Sequence, residues 1–295
     1  MGRHALLCPQ YRQEVTVLGT THVRALGSAD LPALRELLDR DPLVNVFVRH
    51  RVDVTGLEER VMGGCVWGYF EHDELVSACH AGANVVPVQA TRAAIDAFAE
   101  QLLRTGVRPT SVVGPRETAT ALWKRLEGRW GPARSARACQ PFLTMDRDPT
   151  VPTDPRVRRV TIGEFDVLYP ACVDMFTEEV GVHPETSGAA GYRARVAQLI
   201  TLGWAFAIIE DGEVLFKTEV GAATAHATQL QGVWVRPDLR GQGLAVPALA
   251  AVVREVRASI APVTTLYVND HNVAARRTYA TVGFEEAGTF SSFLL

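Results

Sequence analysis

Beyond residue 156 the spacing of apolar positions changes period repeatedly, and each change marks an element. Residues 157–162 read as a strand; in 165–180 and 190–202 apolar residues recur at three and four, which predicts two helices. A continuous apolar run at 204–209 closes on Glu210-Asp211-Gly212, a hairpin signal leading into a strand at 214–221. A strand at 228–235 stops before Pro237. It is followed by a helix at 244–259, a strand at 263–268, a helix at 273–281 and further short strands to the C-terminus. The predicted order is β-αα-βββ-α-β-α-ββ.

The preceding half repeats this order more faintly. Strands at 67–70 and from Leu75 flank the turn His72-Asp73-Glu74; a strand at 84–88, a helix at 91–103, a strand at 110–113, a helix at 118–126 and a strand at 142–145 follow. A duplicated α/β fold is one reading of the parallel, and two unrelated α/β domains are the other. Between the halves, residues 146–156 (DRDPTVPTDPR) carry three prolines and alternating charge with little to bury. This is linker composition. The expected organisation is an N-terminal domain at 1–147, a linker at 148–156 and a C-terminal domain at 157–295, in keeping with a length of 295 residues at roughly 150 per domain.

Composition narrows the function. Hydrophobic residues make up 47% and charged residues 21%, an ordinary globular balance. With 30 basic and 33 acidic side chains the net charge is -3, which offers phosphate backbones no general attraction, so nucleic acid is not an expected partner. Five cysteines (Cys8, Cys65, Cys79, Cys139 and Cys172) stand singly, without CxxC spacing, so no metal site is expected and a reduced compartment fits. The apolar stretch at residues 5–8 runs into Pro9 and Gln10, too short for a signal core or a membrane span. The expected address is cytoplasmic.

The chemistry concentrates in GVWVRPDLRGQGLA, residues 232–245, where an apolar strand enters a glycine loop that opens a helix. Gly241 and Gly243 permit close main-chain approach. The unpaired N–H groups of a helix start, with roughly +0.5 charge from the helix dipole, favour an anion such as a diphosphate. A dinucleotide fingerprint fails because its third glycine falls on Val246, and the Gly-Lys of a Walker loop is missing. A second constellation lies downstream: Asn269 at a strand end, then Asn272, Ala275, Tyr279, Gly283 and Phe284. Asn272, Ala275 and Tyr279 share one helical face.

Together these motifs resemble those of the GNAT N-acyltransferase superfamily, Arg-Gly-x-Gly-x-Ala after the fourth strand and Asn-xx-Ala-xxx-Tyr-xxx-Gly-Phe after the fifth, over roughly residues 157–295. The resemblance implies a mixed α/β sheet splayed between those strands, in two tandem copies of which the first is degenerate. It also implies acetyl-CoA as cosubstrate. Main chain along Val233, Trp234 and Val235 would meet pantetheine, Arg240, Gly241, Gln242, Gly243, Leu244 and Ala245 would cradle the diphosphate, and Asn269 or Asn272 would hold the cofactor arm. Tyr279 matches the family's general acid for the departing thiolate, or alternatively packs under the cofactor.

The acceptor amine must lose a proton before attack. Where many family members carry a glutamate near the start of the fourth strand, this chain has Ala227, Thr228 and Gln229. Two candidate bases remain, Glu219 on the preceding strand and His226 before the fourth. Lys217, on the face of Glu219, makes an ion pair the competing reading. No cysteine lies in either motif, which favours direct transfer to an amine, of a small molecule or a protein, over an acyl-enzyme. A non-catalytic acyl-CoA sensor is the alternative. In the N-terminal half, Gln89-Ala90-Thr91-Arg92 stands where the glycine loop would be, so that half is not expected to bind CoA, and Thr91 is expected to cap its own helix.

Overall fold

The computed structural model describes residues 21–186 and 189–295; Cys8 and the apolar stretch at residues 5–8 lie outside them. Backbone contacts divide the chain into two units, one of residues up to Phe142 together with Ala287–Leu295, the other Leu143–Glu286. The N-terminal half comprises β1 (Thr21–Ala25), α1 (Leu31–Asp39), α2 (Val46–Thr55), α3 (Glu59–Met62), β2 (Cys65–Glu71), β3 (Glu74–Ala81), β4 (Asn84–Val88), α4 (Arg92–Thr105), β5 (Ser111–Pro115), α5 (Arg116–Trp130) and β6 (Ser135–Met145). After it come β7 (Arg158–Arg159), α6 (Phe165–Val180), α7 (Ala189–Thr201), β8 (Ala205–Glu210), β9 (Glu213–Ala223), β10 (Ala227–Val235), α8 (Ala245–Ser259), β11 (Val263–Tyr267), α9 (Val273–Val282) and β12 (Glu285–Leu294).

Within the first unit the strands run in the order β1-β2-β3-β4-β5-β12-β6. Neighbours from β1 to β4 are antiparallel and β4 pairs with β5 in parallel. The second unit repeats this in β7-β8-β9-β10-β11, antiparallel as far as β10 and parallel between β10 and β11. Each unit therefore has the same mixed α/β plan.

Period-two strands bury both faces. On β8, Phe206 and Ile208 join Leu249, Val252, Val253 and Val256 of α8, while Ala205 and Ala207 join Leu168, Cys172, Met175 and Val196 of α6 and α7. On β2, Trp67 and Tyr69 meet Phe98, Leu102 and Leu122 of α4 and α5, and Val66 and Phe70 meet Leu34, Leu38 and Val52 of α1 and α2. Each such aliphatic or aromatic side chain contributes about 1.5–3 kcal/mol when withdrawn from water. The β8–β9 turn places Asp211 at φ +50° and Gly212 at φ +77°, the paired left-handed residues of a tight hairpin.

Three expectations change. The strand anticipated at 157–162 shrinks to Arg158–Arg159, because Thr161 and Glu164 form a capping box that winds Ile162–Glu164 into a 3-10 turn. The two short strands expected at the C-terminus are one strand of 10 residues. That strand completes the first unit: Phe290–Leu294 pair antiparallel with β5, and Phe142 stacks on Phe290 at 4.8 Å. No helix among the described residues is long and apolar enough to cross a membrane.

Candidate functional site

In the second unit the parallel register of β10 and β11 covers only Ala227–Gln229 against Val263–Thr265. Thr265 Oγ1 donates to the carbonyl of Thr228 at 3.0 Å and secures this closed end. From Leu230 onward β10 pairs with β9 alone. Its other edge, toward β11, is left open, at the carboxyl end of two parallel strands where open α/β sheets receive ligands.

The open edge is also bulged, with the β9 register slipping between Gln231 and Trp234. Val233 falls inside the bulge. Gly232 adopts φ +61°, and a Cβ there would lie 2.9 Å from Lys217 Nζ and 2.9 Å from Met175 Cε. Trp234 is buried against α6, and its Nε1 donates to Glu178 Oε1 at 3.4 Å. The carbonyl of Val235 already accepts from Arg240 Nε at 3.0 Å. Arg240 is further held by Glu178 at 2.8 Å, so its side chain braces the loop.

Past Arg240 the loop opens α8. Gly241 and Gly243 sit at φ +75° and +82°, and a Cβ on either would meet nothing within 4 Å. The N–H groups of Gly241, Gln242, Gly243 and Leu244 find no acceptor among the described residues. The Gln242 side chain is turned away, its Nε2 donating to the carbonyl of Asp238 at 2.8 Å. Four free amides, two left-handed glycines and the start of a 15-residue helix at Ala245 make a cradle for an anion. A diphosphate fits this donor set.

Opposite, Asn272 caps α9, its Oδ1 accepting from the Ala275 N–H at 3.1 Å, while the carbonyl of Asn269 accepts from the Asn272 N–H at 3.0 Å. Tyr279 is 6% exposed and packs edge-on against Phe284 at 5.9 Å. Its hydroxyl meets no protein partner among the described residues. Burial, helped by the charge of Glu179, raises the phenol above its ordinary value and keeps it a neutral donor.

Glu219 stands in register with Gln231, just where β10 has parted from β11. Its Oε2 accepts from Lys217 Nζ at 2.7 Å and its Oε1 from Gln231 Nε2 at 3.3 Å. Burial alone would lower the Lys217 ammonium, but the adjacent carboxylate outweighs it and the group is held above its ordinary value. His226 is not brought to this place. It lies exposed in the β9–β10 turn at the closed end, its N–H donating to Thr224 Oγ1 at 3.2 Å, roughly 17 Å along the strand from Gln231.

Residues that the motifs did not point to are Glu178, Glu179, Cys172 and Gln231. One signal was available: adjacent carboxylates end α6 with no basic residue in the last turn, against the helix dipole, an arrangement that needs a cation nearby. In the first unit the corresponding loop bonds to itself around Thr91. Thr91 Oγ1 accepts from the Ala94 N–H at 3.2 Å, and Ser77 Oγ accepts from the Thr91 N–H at 3.3 Å and donates to the carbonyl of Gln89 at 2.8 Å.

A mixed sheet thus opens between two parallel strands, with an anion cradle at the opening. Residues 201–284 match the family described as Acetyltransferase (GNAT) family, and residues 64–168 match a domain of unknown function, DUF4081. The GNAT match thus falls on the segment that carries the glycine loop and the Asn272–Tyr279 helix. Among solved structures it is similar to an acetyltransferase from the GNAT family of Colwellia psychrerythraea, with 15% identity, 93% of this chain and 99% of that chain covered, and a TM-score of 0.54. A GCN5-related N-acetyltransferase from Sphaerobacter thermophilus aligns with 17% identity over 94% and 96% of the two chains, TM-score 0.56. A tandem GNAT protein from the clavulanic acid biosynthesis pathway aligns with 14% identity over 93% and 98%, TM-score 0.53. The search of curated proteins found no match. The chain has the tandem GNAT fold, its first domain divergent.

Proposed function

We propose that this protein transfers an acetyl or related short acyl group from acetyl-CoA to a primary amine by direct attack in a ternary complex. One observation carries the reading: four unpaired amides, Gly241 to Leu244, gathered at a helix start beside the open edge of β10. The CoA thioester supplies the activated acyl group. In this reading the diphosphate takes the amides of residues 241–245, pantetheine follows the open edge of β10 past Val233, and Asn269 and the free Nδ2 of Asn272 hold the cofactor arm. Of Val235, the N–H remains for the ligand, since Arg240 occupies the carbonyl.

Tyr279, neutral and with no hydrogen-bond partner among the described residues, is the proton donor to the departing thiolate. Glu219 is the base, direct or through water, favoured over His226 by its place at the opened end. An acyl-enzyme has little support: Cys172, the cysteine nearest the cluster, is buried, and burial pushes its thiol up to about 11. A reduced compartment such as the cytoplasm suits the cysteines at positions 65, 79, 139 and 172, which form no disulfide among the described residues. No donor set for the CoA diphosphate is proposed in the first unit, where the Thr91 and Ala94 amides are already used.

The engagement of both Glu219 oxygens favours a second reading, a sensor that binds acyl-CoA without turnover. One experiment separates the two. CoA release from acetyl-CoA is measured against a panel of small-molecule and peptide amines, with mass spectrometry of products and calorimetry of CoA binding. Release with an acylated amine supports the enzyme; tight CoA binding without release supports the sensor; absence of CoA binding refutes both.

A further inference from the structure

The floor of the opening contains an ion pair that the fold has cleared space to bury. Lys217 is 1% exposed and Glu219 8%. They stand two apart on β9 and so share a face, flanked in register by Ala205 and Ala207 of β8, whose small side chains leave room for the long ones. Two glycines complete the space. A Cβ at Gly221 would lie 2.3 Å from Gln231 Oε1, and one at Gly232 would lie 2.9 Å from Lys217 Nζ and 3.3 Å from Glu219 Cδ. Thr218 Oγ1 fixes Gln231 by donating to its carbonyl at 3.0 Å, and Gln231 in turn donates to Glu219.

Burying such a pair is no cheaper than packing two apolar side chains of the same volume, and often costs more. Its position therefore calls for a role beyond stability. Given the acyl transfer proposed above, on which this inference rests, we propose that Lys217 is a positioning residue for Glu219: its buried ammonium, 2.7 Å from Oε2, holds the neighbour as a carboxylate directly beneath the β10 bulge where the acceptor amine must arrive. The groups facing the pair are Cys172 and Glu179 from α6, Tyr192 from α7 and the neutral Gln231 from β10. Arg195 of α7 is turned to the carbonyl of Gly221 at 2.8 Å. Among the described residues, Lys217 is thus the cation in contact with the carboxylate. Without it, Glu219 would share a desolvated site with the charge of Glu179, and protonation would be its cheapest relief.

The test uses the full chain with glutamate labelled by 13C at the side-chain carboxyl. The Glu219 resonance is assigned by its disappearance in Glu219→Gln, then followed with pH in wild type, Lys217→Met and, should that variant not fold, Lys217→Gln. The titration midpoint of Glu219 is expected to move up in the lysine variants. The acid limb of the kcat profile for CoA release should move with it, while KM for acetyl-CoA stays within about twofold. A purely structural Lys217 would lower kcat equally at every pH. An unmoved midpoint in a folded variant overturns the hold on Glu219, and a moved midpoint with an unmoved acid limb overturns the positioning role. If wild type releases no CoA with any amine, the acyl-transfer reading falls by itself, and the resonance still decides whether Lys217 holds the carboxylate.

Discussion

Replacing Gly241 and Gly243 together by valine tests the cradle most directly. Both residues are left-handed, and an L side chain there costs roughly 1–2 kcal/mol per position, relieved only if the loop leaves its conformation. The Cβ atoms would meet no protein atom within 4 Å, so the fold has no steric reason to fail; the added methyl groups project into the space the anion would use. Hydrogen bonds to a charged group are worth about 1.5–3 kcal/mol each. Losing two of the four amides then costs about 3–6 kcal/mol, or roughly 10²- to 10⁴-fold in Kd. Calorimetric titration with CoA reads the loss and circular dichroism verifies folding. A companion, Gly241→Asn, tolerates the left-handed conformation yet still adds a side chain, and should lose affinity without destabilising the loop. An unchanged Kd in the folded double variant would mean that the diphosphate is held elsewhere.

Tyr279→Phe should lower kcat on the order of 10² with the Kd for acetyl-CoA nearly unchanged, because a general acid acts in the transition state; reduced affinity with normal turnover would make the tyrosine a packing residue. Titrating the full chain should saturate at one CoA, and the Gly241→Val/Gly243→Val variant should show no residual site; a second equivalent would contradict the self-bonded loop at Thr91. In the first unit, burial holds the His80 imidazole down at about 4, with the charge of Arg51 adding to the effect against the bond to the Asn84 carbonyl. The unfolded chain therefore takes up this proton first. Stability is full above about pH 6.5 and falls by about 3 kcal/mol as pH drops to about 4, a slope that His80→Gln should flatten in urea unfolding of the full chain.

What could be read along the chain is what neighbouring residues decide among themselves. The anion cradle depends on two glycines and a helix start within six residues, the shared face of Asn272, Ala275 and Tyr279 on a period of 3.6, and the meeting of Lys217 with Glu219 on a period of two. None of these needs a distant partner. The α2 segment VFVRHRVDVT shows where such reading ends, for its valines suit a strand as well as a helix, and packing on β2 and β3 makes it helical. Tertiary structure alone brought Glu178 to Arg240 across 62 positions, bulged β10 over Lys217 and assigned the final strand to the first unit. It also placed His226 at the closed end, away from Glu219, since a residue adjacent to a strand in sequence can lie at either end of the opening in space. Local periodicity and backbone permissiveness act over a turn or two of chain; desolvation, strand partners and the sealing or opening of an edge are set by segments that meet only when the sheet closes around its core.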